Sequence, residues 1–217
     1  MFQATPAPEA PALVPIAVLA QSDNALAPPF ERTRTHLRIL RENNEVLVGE
    51  TASIKGALAA RRPGLTRGRQ VSLQVLRRNG WDTVARTRTG RGGRFRVSYL
   101  PQSLGSATLR VRYSGNASLT GATVRVRPVD SFRIAVASWY GGYGSTACGE
   151  QLTPSTLGVA NKTLPCGTLV TLRYGGRTVT VPVIDRGPFV PGREYDLTEG
   201  TRNALGFEGV GAVWSNR

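Results

Sequence analysis

Histidine occurs once in this 217-residue chain, at His36, and lysine only twice, at Lys55 and Lys162. Cysteine is confined to Cys148 and Cys166. His36 has no metal-ligand companions and reads as a surface residue. The two cysteines have no further ligands beside them either, so neither a metal nor another cofactor is expected. No run approaches the ~18 apolar residues that a membrane helix needs, and no transmembrane span is expected. With so little lysine, the net charge of +14 is carried almost wholly by arginine.

What is present falls into three parts, and this length has room for one or two domains with proper cores. Residues 1–43 are rich in Ala and Pro and read as a disordered or signal-like arm. Leu13 to Ala20 has the length of a short signal-peptide h-region, with Val18-Leu19-Ala20 as a cleavage site. No Lys or Arg precedes it, and Glu9 sits where a basic region belongs. A mis-assigned start or a plain lead-in explains the stretch as well. Pro28-Pro29 then reads as linker.

Residues 44–129 read as a string of short strands. Val71, Leu73 and Val75 alternate with polar residues, as do Phe95, Val97 and Tyr99, then Ala107, Leu109, Val111 and Tyr113, then Val124 and Val126. Asn79-Gly80 predicts a two-residue type I′ hairpin turn, which needs positive φ at both central residues. Strands at this spacing with no helical window predict a β-sandwich. The segment looks like an immunoglobulin-like bacterial module. It carries sixteen Lys or Arg against four acids over residues 44–130, a net +12. Residues 131–217 carry eight against six, and residues 1–43 four against four. Arginines on the outward positions of strands either solvate a sheet or attract a polyanion. Nucleic acid is not favoured, since no recognition helix, zinc spacing or stacking motif accompanies the charge.

From about Asp130 the pattern changes. Ile134, Val136 and Ser138 alternate with Ala135, Ala137 and Trp139, and the strand ends in Trp139-Tyr140-Gly141-Gly142-Tyr143-Gly144. Aromatics among glycines suit sugar rings; Trp139 reads equally as core, while Tyr140 is the better rim residue. Val179, Val181 and Val183 form a second alternating strand that runs into Asp185-Arg186-Gly187-Pro188. Thr198 to Gly206 reads as one short helix with Thr198 as N-cap, and Val210 to Trp214 as a closing strand.

The ordered words Ala-Ser-Trp-Tyr-Gly (137–141), Thr-Ala-Cys-Gly-Glu (146–150), Leu-Pro-Cys-Gly-Thr (164–168), Asp-Arg-Gly-Pro-Phe (185–189) and Arg-Glu-Tyr-Asp-Leu (193–197) resemble the rare lipoprotein A (RlpA) family. These are double-psi β-barrels related to expansins and barwins, and the resemblance covers roughly residues 132–217. It implies a six-stranded barrel at 131–217 and an association with peptidoglycan, so that with the sandwich read from strand spacing the chain is expected to be all-β and, with a disulfide, extracytoplasmic. Some members are lytic transglycosylases, which cleave the glycan strand without water and leave an anhydro sugar.

Cleavage of that kind needs one acid–base group at the leaving oxygen. The resemblance implies Asp185 and Asp196 for it, on one face of the barrel, close to Tyr140 and Asn161. Glu150 and Glu194 are weaker candidates, each plausible as surface, while Arg186 and Arg193 suit substrate acids or the holding of a carboxylate ionised. Tyr140, Glu150, Asn161, Arg186 and Arg193 are the expected substrate-binding set. Asn161 departs from the pattern, because the family usually has histidine there and asparagine transfers no proton near neutral pH. The family fold also implies a Cys148–Cys166 disulfide, worth about 3 kcal/mol on the chain-entropy model and suited to an oxidising compartment. Three readings follow: a transglycosylase acting on peptidoglycan, a non-catalytic wall-binding module with the same groove, and a basic scaffold with another target. In the first two, anionic wall polymer is the partner of the basic sandwich.

Overall fold

The computed structural model describes Met1 and residues 31–217; the expected signal-like stretch and the Pro28-Pro29 linker lie outside them. Residues 32–217 form one compact unit built almost wholly of strands. In chain order the first nine are β1 (Thr35–Glu42), β2 (Glu45–Leu47), β3 (Ala52–Ala60), β4 (Gln70–Arg77), β5 (Gly80–Arg88), β6 (Arg94–Tyr99), β7 (Gly105–Ala107), β8 (Leu109–Tyr113) and β9 (Ala122–Arg125). One sheet has the order β1-β3-β6 and a second β5-β4-β8-β9. Leu37, Ile54, Leu58, Leu73, Val97, Leu109 and Val111 from both sheets form one buried cluster, so the pair is a sandwich. The alternating residues read from the sequence supply its inward faces.

Two expectations for this part need correction. Residues 35–42 belong not to an arm but to β1, which pairs antiparallel with β3 from Thr35↔Ala60 to Glu42↔Ile54. Thr35, Leu37 and Ile39 are its inward residues, and three such positions after an Ala- and Pro-rich lead-in make too short a pattern to stand out. His36 is exposed there, as expected. The β4–β5 turn is also not type I′. Arg77 pairs with Gly80, so the two loop residues are Arg78 and Asn79, and among the described residues none but glycine has positive φ. Gly80, at φ 116°, takes the left-handed conformation alone.

The remaining strands are β10 (Val129–Tyr140), β11 (Gly144–Ser145), β12 (Gln151–Leu152), β13 (Val159–Asn161), β14 (Leu169–Tyr174), β15 (Arg177–Asp185), β16 (Tyr195–Thr198) and β17 (Gly211–Ser215). Six of them run β16-β13-β15-β14-β17-β10, and a parallel β10–β16 pairing closes the ring. Ala137, Val159, Val170, Leu172, Val181, Val183, Tyr195, Leu197 and Val213 fill its interior. The helix α1 (Glu199–Leu205) starts on the Thr198 side chain, which accepts from the Thr201 N–H, and stops at Gly206.

Sandwich and barrel share a strand. The first residues of β10 pair with β2 and β7, and its later ones with β17 and β16. Glu45 of β2 then accepts from Arg173 Nε at 2.9 Å and from Thr178 Oγ1 at 3.0 Å, on the β14–β15 hairpin. Arg173 stacks 4.8 Å from the Trp214 ring, which packs on Phe132 at 6.0 Å. A boundary at residue 130 therefore falls inside a strand rather than in a linker.

Cys148 and Cys166 are joined by a disulfide with Cα atoms 5.8 Å apart. Replacing both by serine lowers Tm by about 6–12 °C, taking ~3 kcal/mol for the loop and ~2–4 °C per kcal/mol. Thermal melts read by circular dichroism check this; an unchanged Tm contradicts it.

Candidate functional site

Alternation along β15 would send Asp185 into the core, two residues after the buried Val183 and four after Val181. A bulge prevents that. Val159 of β13 pairs with Val183, but the next residue, Ala160, pairs with Asp185, so Ile184 is the extra residue. Neighbours in register share a face, and Ala160 faces away from Val159. Asp185 is thus turned out of the barrel interior. Ile184 is buried over Gly158, where an added Cβ would stand 2.5 Å from Ile184 Cδ1. Only a residue without a side chain lets the bulge lie flat.

The same register gathers the second carboxylate. Ala160 pairs on its other side with Asp196, and Asp196 in turn with Ser138 of β10. One row therefore runs Asp185, Ala160, Asp196, Ser138 across four adjacent strands, with the alanine methyl as the low point between two acids. At ~4.8 Å per strand the two aspartate Cα atoms are about 10 Å apart. Tyr140 lies two residues beyond Ser138, hence on the same face.

Asp185 Oδ1 accepts the Ala147 N–H at 2.9 Å and the Arg186 N–H at 2.8 Å. The first bond ties the carboxylate to the disulfide-held loop, where Cys148 N–H also donates to the Ile184 carbonyl. Asp196 Oδ1 accepts from Ser138 Oγ at 2.8 Å. Burial raises the Asp196 pKa above the ordinary carboxylate value; the Ser138 hydrogen bond and the Arg193 guanidinium draw it back, and the Asp185 charge adds to the rise. The Tyr140 hydroxyl is buried without a well-formed hydrogen bond. Burial, then the charge and hydrogen-bonding reach of Asp185, and last the charge of Asp196 hold it well above the usual phenol range.

The other expected residues divide. Arg193, in the turn before β16, is close enough to Asp196 to act on its charge. Glu150 is exposed on the β11–β12 hairpin, its backbone bonded to Thr146 and its carboxylate without a partner among the described residues. Asn161 sits apart from the row, being out of phase with Ala160 and paired with Tyr195. Its Oδ1 accepts the Thr163 and Leu164 N–H groups at 3.0 and 2.9 Å, and its Nδ2 donates to the Glu194 carbonyl. At 5% exposure it holds the turn after β13. It lines a cavity of about 270 Å³ with Arg133, Arg193 and Arg217, a lining that includes neither aspartate. Among the described residues Arg186 holds no carboxylate: it donates to the Asn161 carbonyl at 3.0 Å and to Cys166 Sγ. Glu194 is paired with Arg133 through both carboxylate oxygens.

Sequence reasoning gave Ser138 no role, although its place two residues before Tyr140 put it on the same face. Trp139 is half-exposed beneath Arg202, 4.4 Å from its ring. Tyr143 and Phe189, at 81% and 80% exposure, stand free on the loops that follow β10 and β15.

A family model described as "Lytic transglycolase" matches residues 134–214. Residues 134–214 belong to the RlpA-like double-psi β-barrel family. The chain is 37% identical over 117 residues to a Nostoc protein named probable endolytic peptidoglycan transglycosylase RlpA, covering 49% of this chain and 32% of that one. A Synechocystis protein of the same name is 30% identical over 215 residues, covering 89% and 64%. An Aquifex aeolicus relative so named is 40% identical over 82 residues, 36% of each chain. The chain thus spans from a third to just under two thirds of these relatives' lengths. Among the described residues no helix is long and apolar enough to cross a membrane.

Because the native state holds the Asp196 proton more tightly than the unfolded chain, the stability linked to it is present at low pH. It is lost as pH rises through the raised pKa. Asp196→Asn therefore gains stability over the native protein as pH climbs from the ordinary carboxylate range to neutrality. Urea midpoints across that range measure the gain; a gap independent of pH counts against a raised pKa.

Proposed function

We propose that the protein is a peptidoglycan lytic transglycosylase of the RlpA type, working outside the cytoplasm, with Asp196 and Asp185 as its acid–base pair. The observation that carries this is the row of two carboxylates flanking Ala160, beneath a buried Tyr140 hydroxyl. Burial favours the protonated form of Asp196, which a general acid requires. Asp196 gives its proton to the glycosidic oxygen as the bond to the anomeric carbon breaks. A hydroxyl of the same sugar attacks that carbon, closing the anhydro ring, and its proton passes to the Asp185 carboxylate. The pair returns to its starting state by exchange with solvent. Arg193 limits how far the Asp196 pKa rises, and Tyr143 and Phe189 offer faces for sugar rings. The relatives' printed names and the family description support the same substrate.

A second reading has one observation in its favour. Where the family usually carries histidine, Asn161 spends its amide on the turn at Thr163–Leu164, so this position supplies no proton. On that reading the groove binds glycan without cutting it. In either case the +12 sandwich serves as the attachment to anionic envelope polymer, and the shared strand β10 fixes its distance from the groove.

Incubating the purified protein with peptidoglycan and searching by mass spectrometry for anhydro-muropeptides separates the two. The transglycosylase reading expects them, and expects Asp196→Asn and Asp185→Asn each to reduce their formation at least 100-fold with the fold intact. Pelleting with peptidoglycan but no anhydro product from the native protein establishes the binding reading instead.

A further inference from the structure

The outer face of the β1-β3-β6 sheet carries a feature that the barrel chemistry does not use. Arg41 pairs in register with Lys55, and Lys55 with Arg96, so three cations lie in one row across three adjacent strands. Like charges directly opposite each other destabilise a sheet. The row also exists only because β1 is bulged. Ile39 pairs with Gly56 and Arg41 with Lys55, leaving Leu40 as the extra residue. Without the bulge, alternation from the inward Leu37 and Ile39 would bury Arg41 and point Leu40 outward among the cations. With it, Arg41 faces out and the apolar Leu40 is left half-exposed.

The three side chains line one cavity of about 380 Å³ together with Asn43 and Ser53. Arg96 Nε donates to Ser53 Oγ at 3.1 Å, and the side chains of Arg41 and Lys55 have no partner among the described residues. The nearest acid in sequence, Glu42, is taken by Arg127. Two residues along the strands, Arg38 and Arg94 flank Ala57 in a second row. The patch therefore holds five cations over roughly 10 Å across the strands and ~7 Å along them.

We propose that the Arg41–Lys55–Arg96 row is a binding site for the phosphoryl groups of an anionic envelope polymer, and that the Arg38–Arg94 row receives the next phosphate along. This rests on the reading of the sandwich as an anchor and names the part of it that does the anchoring. The donor set exceeds what a carboxylate can use. Two guanidinium forks, an ammonium, a hydroxyl and an amide converge there, whereas a carboxylate offers two oxygens and a single charge. A phosphoryl group brings more charge or a denser array of acceptor oxygens, which guanidinium binds in bidentate fashion. Two cationic rows about 7 Å apart match a chain with a charge on every short repeat better than isolated acids on stem peptides.

The test uses the full chain and three probes: polyphosphate, polygalacturonate as a carboxylate polymer, and a single-stranded oligothymidylate. The Arg41→Gln, Lys55→Gln, Arg96→Gln triple variant is compared with Arg86→Gln, Arg112→Gln, Arg125→Gln, which removes equal charge from the other sheet. All six side chains lie at or near the surface, and Tm verifies that both variants fold. The expected result is polyphosphate affinity lowered at least tenfold by the first triple and less than threefold by the second, with polygalacturonate bound more weakly than polyphosphate by the native protein. Equal losses in both variants overturn the site while leaving a general electrostatic anchor. No binding of polyphosphate even at low salt overturns both. Tighter binding of the oligothymidylate, lost in the first triple, replaces the envelope polymer with nucleic acid as the ligand.

Discussion

Everything distinctive about this molecule depends on strand parity. A strand packed against a core must alternate its faces, and each departure from that alternation has to be built in as an extra residue. Around the barrel the interior is closed by Val159, Val181, Val183, Tyr195 and Leu197, none of which is appreciably exposed. Against that fixed lining, one bulge at Ile184 decides whether Asp185 is an ion trapped in the core or one half of a carboxylate pair. Leaving a charged carboxylate in the barrel would cost several kcal/mol. The bulge avoids that cost, and Gly158 makes room for the Ile184 it displaces.

The electrostatics of the pair follow from the same register. Because Asp185 and Asp196 flank one small residue, each feels the other without contact, and the Asp196 pKa rises partly for that reason. The two acids are held differently. Backbone N–H groups from the disulfide-held loop and from its own turn fix Asp185, whereas a single serine hydroxyl fixes Asp196. That asymmetry suits a division of labour between one group that carries a proton and one that receives it.

Much of this was legible in the sequence, and the reasons are local. The valine alternation at 179–183, the Thr198 cap and the Gly206 stop each state their structure within a few residues. The two aspartates and Tyr140 were recognisable through motif words. What was not legible depends on pairing between distant strands. Neither bulge leaves a mark in its own strand, since Ile184 and Leu40 are ordinary β residues. Asn161 was expected beside the aspartates, but being out of phase with Ala160 it faces elsewhere and braces a turn. Arg186 follows Asp185 directly in sequence, yet its guanidinium reaches back to the end of β13 and the disulfide sulfur.

The junction between the two cores settles how binding and chemistry can be related. β10 is a single uninterrupted strand from Val129 to Tyr140, with its first residues in the sandwich and its last at the carboxylate row. Glu45 clamps the β14–β15 hairpin from the sandwich side, and the Arg173–Trp214–Phe132 stack fills the corner. Such a connection lacks the few loop residues that a hinge needs. A polymer held on the sandwich would therefore sit at one set distance from the groove, and the reach of the groove along the wall would be set by where the next charged repeat can dock. On the proposed reading, attachment would choose which bond is presented as well as keep the protein near the wall.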